Sequence, residues 1–175
     1  MNLKNMSIRG QKDLATNPNT PGDLLRKLAK NINTSPDIRR EVADNPNTPE
    51  DVLRYLAKDV YWFARCNVAR NSNTPEDLLR KLAKDSERTV KGNVALNPNT
   101  PLDILKILAK DENWAVRRDV AKNPELSSSF LVMMFEYEKS FTEPDDQVIK
   151  ALYENKKIPK VIKRVIETLF REWLK

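Results

Sequence analysis

The sequence predicts an all-α solenoid of short helical repeats closed by a helical C-terminal cap, and two observations carry that expectation. The first is a recurring string. Asn-Pro-Asn-Thr-Pro begins at Asn17, Asn45 and Asn97, with the variant NSNTP at Asn71 and a degenerate NPELS at Asn123. The successive spacings are 28, 26, 26 and 26 residues, a period that marks stacked two-element units. The second is that each unit carries two apolar stripes at helical spacing, and neither helix can bury its stripe alone. About 4.5 units of 26–28 residues occupy 1–126, and 127–175 are assigned to capping helices.

Within a unit, Thr20, Thr48, Thr74 and Thr100 stand where an N-cap is expected, and Pro21, Pro49, Pro75 and Pro101 follow. At the first helical position a missing N–H costs nothing. Asp23, Asp51, Asp77 and Asp103 add a carboxylate to the first turn, favourable to the helix dipole. Leu24, Leu25, Leu28 and Ala29 then form the apolar stripe of a helix of roughly ten residues. A second helix is expected to open at Asp59, Asp85 and Asp111 as N-caps. Its apolar side is Ile38, Val42 and Ala43 in the first unit and Ala64, Val68 and Ala69 in the next. Val90, Val94 and Ala95, then Val116, Val120 and Ala121, repeat that pattern. The first unit carries two extra residues in NINTSP, where Ser35-Pro36 rebuilds the start of its second helix. The recurring Asn ends each second helix, and the Pro after it cannot continue one.

After Asn123 the segment FLVMMF is apolar nearly all round and is expected to be buried at a join. One further helix is expected from Pro144 to Glu154. Another starts at Pro159 and carries Val161, Ile162, Val165, Ile166, Leu169, Phe170, Trp173 and Leu174.

Composition narrows the chemistry. The 175 residues are 39% apolar and 32% charged, with three Gly, eleven Pro, one Cys and no His. Without His, Ser–His and Cys–His nucleophiles and His-ligated zinc fall away. A single Cys66 excludes an intrachain disulfide and a four-cysteine metal site. No apolar run reaches membrane-spanning length, and the first fifteen residues lack a signal-peptide core. A cytoplasmic, soluble protein without cofactor is therefore expected. The net charge of +6 leans mildly toward acidic partners. Residues 17–122 hold 19 basic residues against 15 acidic ones, so most of the excess lies in the repeats.

The NPNTPEDLL and V–R–x–x–V–A–x–N patterns resemble those of the leucine-rich repeat variant family and, more distantly, HEAT-type helical repeats. The resemblance covers about residues 8 to 131. It implies a right-handed superhelix in which an α-helix alternates with a shorter 3₁₀-type helix. The cysteine cluster of the family's iron–sulfur member has no counterpart here, so no cluster is carried over.

Columns that repeat build a solenoid, and columns that vary carry its specificity. Arg39, Arg65, Lys91 and Arg117 form a basic column, with Asp59, Asp85 and Asp111 six residues before the last three. Such spacing suits a hydrogen-bonded ladder. The recurring Asn residues suit turn and helix-end bonds. Trp62, Arg88 and Trp114 form a variable column on the second helices, pointing away from the Val stripe on the side of Cys66, Gly92 and Arg118. These rings either pack on the neighbouring unit or form a contact surface. As a surface, Trp62, Arg88, Trp114 and Arg118, with Tyr61 and Arg40 as outer members, suit the aromatic and guanidinium anchors of a protein interface.

The expected function is a non-catalytic scaffold binding another protein through a curved face. The alternative is nucleic-acid binding through a basic face that includes Arg26, Arg54, Arg80 and Lys106. The run KKIPKVIKR could touch phosphates or an anionic membrane, but its helix has an apolar face for the cap to use, so no membrane partner is expected. No small-molecule substrate is inferred. Arg65 beside Cys66 is the one feature that would activate the thiol.

Overall fold

A computed structural model describes residues 6–31 and 34–174, except for the side chain of Trp173. The insert at 32–33 and the Trp173 side chain therefore lie outside the described residues. The chain is all-helical there. It runs α1 (Ile8–Thr16), α2 (Gly22–Lys30), α3 (Pro36–Asp44), α4 (Glu50–Leu56), α5 (Trp62–Arg70) and α6 (Glu76–Leu82). It continues with α7 (Arg88–Leu96), α8 (Leu102–Leu108), α9 (Trp114–Ala121), α10 (Ser128–Lys139), α11 (Asp146–Glu154) and α12 (Lys160–Leu169). A 3₁₀ turn follows at Arg171–Leu174. Even-numbered helices are the first segments of the units and odd-numbered helices the second.

The two rows are unequal. Helices α1, α3, α5, α7, α9 and α11 pack in file, each against the next, whereas the first-segment helices touch one another far less. The stack therefore bends with the second helices on its inner, concave side. One core runs its length, from Ala15 through Leu53, Leu79 and Leu105 to Leu152 and Ile166. The second segments are α-helices of eight or nine residues, not 3₁₀ turns.

The NPNTP string works differently from a cap. The Asn45 side-chain oxygen accepts from Asn47 N–H at 2.9 Å, and Thr48 N–H donates to Asn45 C=O at 3.0 Å, closing a tight turn. The Thr48 hydroxyl then donates back to the carbonyl of Val42. Thr20, Thr74 and Thr100 do the same to Leu14, Val68 and Val94. Thr is thus no N-cap. Its hydroxyl satisfies a carbonyl at the end of the helix before it, where C=O groups lack intrahelical donors. The N-cap position falls to the proline instead, and the helix begins one residue later.

The expected N-caps of the second helices move in the same way. Asp59, Asp85 and Asp111 accept from the N–H two residues on, at 3.0, 2.9 and 2.9 Å, and the helices open at Trp62, Arg88 and Trp114. These carboxylates are turned aside by the basic column of the preceding unit. Arg39 pairs with Asp59 at 2.6 Å, Arg65 with Asp85 at 2.7 Å and Lys91 with Asp111 at 2.6 Å. Arg117 closes the series on Glu138 at 2.9 Å, with both side chains buried. Arg39, Arg65 and Arg117 also donate to backbone carbonyls of the turn before their own helix, so the expected ladder forms.

A second ladder is amide-based. Asn45 Nδ2 donates to the carbonyls of Ala15 and Asn17, Asn71 to Ala43 and Asn45, and Asn97 to Ala69 and Asn71. Asn123 repeats the pattern on Ala95 and Asn97. Asn155 extends it on Ala121 and Asn123, carrying the repeat register into the C-terminal helices. There NKKIP takes the place of NPNTP, and α11 stacks on α9 as a second helix would. The FLVMMF segment is less enclosed than its composition suggests. Phe130, Leu131, Met134 and Phe135 are buried, but Met133 is exposed and Val132 half-buried. The next helix opens at Asp146 rather than Pro144, because the Asp145 carboxylate caps it by accepting from Gln147 and Val148 N–H.

Asn71→Ala removes a donor that serves two buried carbonyls and the acceptor that closes its own turn. A loss of about 2–4 kcal/mol is expected, from the cost of buried groups left unpaired, measured as a shift of the urea midpoint. The Asp–Arg ladder makes stability pH-dependent. Burial alone would raise the Asp85 carboxyl, but the Arg65 guanidinium and the Glu87 N–H hold it below the usual carboxylate range. A depressed folded value stabilises above the unfolded value near about 4, and that stability is lost as pH falls through the folded value. Stability is therefore expected to drop below about pH 4. Asp85→Asn should lower the urea midpoint at pH 7 and flatten its acid limb between pH 4 and pH 3.

Candidate concave binding face

The helix register that buries Ala64, Val68 and Ala69 sends the first residue of each second helix outward. That residue is Trp62 in α5, Arg88 in α7 and Trp114 in α9. The structure thus lines up the three side chains on the concave row, one per unit. Trp62 is 43% exposed and Trp114 39%, so each ring keeps a large part of its surface open to water.

Each ring has its own support. Trp62 meets Phe63 edge-on with centroids 5.7 Å apart, and Phe63 stacks on Tyr61 at 5.4 Å. Trp114 is covered on one face by the Arg118 guanidinium, 5.4 Å from the ring centroid, a favourable cation–π placement. Arg118 is itself held by Asp119 at 2.8 Å, and Arg40 by Glu41 at 2.6 Å. Tyr61 sits at the lateral edge, over Arg39 at 5.6 Å. Beside it an open cleft of ≈ 340 Å³ is lined by Ala29, Asn31, Arg39, Tyr55, Lys58, Asp59 and Val60. Tyr61 therefore faces the turn side more than the concave row.

Cys66 and Gly92 lie on the side of the tryptophans, as the helical wheel indicates, but the next unit covers them. A Cβ added at Gly92 would meet Asp119 Oδ2 at 2.5 Å, so the Asp119 carboxylate of α9 lies over the α7 backbone and would have to move for a larger residue. Burial pushes the Cys66 thiol up to about 11, against a lowering hydrogen bond from Asn93 and a smaller lowering by Arg65. The thiol is therefore protonated at neutral pH. Arg65 does not activate it, because its guanidinium is committed to Asp85.

The sequence pattern puts Trp62, Arg88 and Trp114 in one column but leaves no trace of the electrostatics around them. Between residues 17 and 126 there are ten arginines. Nine of them form ion pairs: Arg26, Arg39, Arg40, Arg54, Arg65, Arg70, Arg80, Arg117 and Arg118. Among the described residues Arg88 alone of the ten has no carboxylate partner, and it is exposed. The Asp44–Arg70 pair, 2.7 Å long and bridging α3 to α5 on the opposite border of the row, was also not foreseen. Both depend on how units are offset, which no single unit reveals. A second depression of ≈ 370 Å³ opens where the amide ladder enters the C-terminal helices, between Lys122, Pro124, Ala151 and Lys156.

On the outer row, Arg26 pairs with Asp51 at 3.0 Å and Arg54 with Asp77 at 2.7 Å, while Arg80 pairs with Asp103. Lys106, next in this column, is exposed without such a partner. No group of His, Cys, Asp and Glu suited to a metal ion occurs among the described residues. None of their helices is long and apolar enough to cross a membrane.

No curated protein matches the chain. Residues 9–59, spanning α1 to the turn after α4, match the model of the Leucine Rich Repeat Variant domain. The units that follow repeat the same string in the same structural role. Residues 9–59 are thus similar to the repeats of the Leucine Rich Repeat Variant family.

Proposed function

We propose that the chain is a non-catalytic scaffold that binds another protein on its concave row. The observation that carries this reading is the first position of the second helices. There the repeat pattern breaks, and Trp62, Arg88 and Trp114 stand exposed in line. Half-exposed tryptophans flanked by guanidinium groups are what protein interfaces use as anchors. Trp62, Arg88, Trp114 and Arg118 are the proposed contacts, with Tyr61 and Arg40 at the borders.

Nucleic-acid binding through the outer row is the second reading. Its arginines Arg26, Arg54 and Arg80 are held by Asp51, Asp77 and Asp103, while among the described residues Lys27, Lys58, Lys81, Lys84, Lys106 and Lys110 are exposed without an ion pair. A polyanion needs a row of uncommitted cations whose counterions it can release.

The test pairs stability with capture. Trp62→Ala combined with Trp114→Ala is expected to cost under about 2 kcal/mol, because both rings are largely outside the core. A photo-crosslinking amino acid at Thr89, on the concave row, should trap a discrete partner in the producing cell. The same group at Lys81 on the outer row should not, and the double variant should lose the capture. A drop in melting temperature of the size of a core lesion would show that the rings are packing. Binding of labelled DNA or RNA that weakens steeply between about 50 and 200 mM salt would favour the nucleic-acid alternative.

A further inference from the structure

Arg88 is exposed at the centre of the concave row, with Trp62 one unit before it and Trp114 one unit after. The other nine arginines between residues 17 and 126 are matched to carboxylates, eight of them Asp or Glu on the same unit or the next and one bridging back to Asp44. Among units that pair their guanidinium groups so consistently, one left without a partner between two tryptophans marks a place where the carboxylate comes from elsewhere. Next to it, one turn along α7, Gly92 provides no side chain, and the carboxylate that approaches it, Asp119, is already engaged by Arg118 at 2.9 and 2.8 Å.

Resting on the protein-binding reading above, we infer that the partner presents a carboxylate to Arg88 from a segment whose apolar side chains on either side lie against Trp62 and Trp114. Neighbouring packed helices stand about 10 Å apart, so two units separate the tryptophans by roughly 20 Å. An extended segment covers that distance in about six residues. The matching motif is thus an Asp or Glu with an apolar residue about three positions to each side. A nucleic acid fits this face poorly. Among the described residues Arg88 is its one unpaired guanidinium between 17 and 126, and the unpaired carboxylates Asp37 and Glu87 lie on the same helices or at their starts. A repeating phosphate chain would meet those carboxylates, whereas a single carboxylate needs only Arg88.

The experiment is selection from a phage-displayed random peptide library of about twelve residues against the intact protein, with a DNA and RNA binding arm run in parallel. Peptides that bind the parent and fail on the Trp62→Ala, Trp114→Ala double variant report on the concave row. Among these, enrichment of a central Asp or Glu flanked by apolar residues is expected. Arg88→Ala should weaken such peptides by about tenfold or more, the effect of removing one member of a charge pair at an interface. Arg88→Glu should redirect the selection toward Lys- or Arg-centred peptides. Arg88 is exposed, so both variants should keep the parent's melting temperature. Tryptophan-dependent peptides without acidic enrichment, or with affinity unchanged in Arg88→Ala, would overturn the carboxylate inference and leave the protein-binding reading standing. A selection that yields no tryptophan-dependent peptide, or oligonucleotide binding lost in Arg88→Ala, would overturn both.

Discussion

The structure depends first on a buried amide. From Asn45 onward each recurring Asn donates to two carbonyls of the unit before it and accepts from a backbone N–H of its own turn. A short repeat ends both of its helices inside or beside the core, where unpaired carbonyls would be costly. One Asn per unit, helped by the Thr hydroxyl three residues later, meets that need at the junction between units. Its geometry also fixes the offset of one unit on the next, because the two accepting carbonyls lie two residues apart at a single preceding helix end. Stacking is then a nearest-neighbour affair, and every interface is set by the same few atoms.

The two charged ladders act on that frame from opposite sides. On the inner row, Arg39, Arg65 and Arg117 tie their carboxylates to backbone carbonyls in largely enclosed positions, so removing either partner leaves a charge poorly solvated. On the outer row, Arg26–Asp51, Arg54–Asp77 and Arg80–Asp103 are open to water and contribute little each. They span the wider gaps between first helices, where apolar contact is thin. The bend of the stack and this division of ion pairs have one origin: second helices touch closely, and first helices are spread.

Much of this was legible in the sequence. The period, the helix pairs, the apolar stripes and the Arg–Asp ladder follow from recurring residues, because the same contact repeated in each unit leaves a repeated trace. Roles within the turn were not legible. Thr before Pro reads as an N-cap, since a hydroxyl is equally able to accept from a helix start and donate to a helix end. Only the placement of the preceding helix decides that Val42, Val68 and Val94 receive it. The continuation through Asn155 was hidden for a different reason. Its spacing from Asn123 is 32 residues, and Lys and Ile stand where Pro and Thr recur elsewhere, yet the amide bonds are the same.

The candidate site sits where the frame makes no demand. A residue at the first position of a second helix lies outside the amide ladder, the Arg–Asp ladder and the apolar stripe, so the fold does not constrain it beyond helical compatibility. Trp62, Arg88 and Trp114 could each be replaced by small polar residues without disturbing any bond that joins the units. Trp62 and Trp114 each leave about two fifths of their surface in water, where apolar area is costly. Between residues 17 and 126, where the other nine arginines are matched to carboxylates, an unmatched guanidinium between two such rings is equally unexplained by folding. The two departures coincide on the inner face, and folding accounts for neither, whereas recognition of a partner accounts for both.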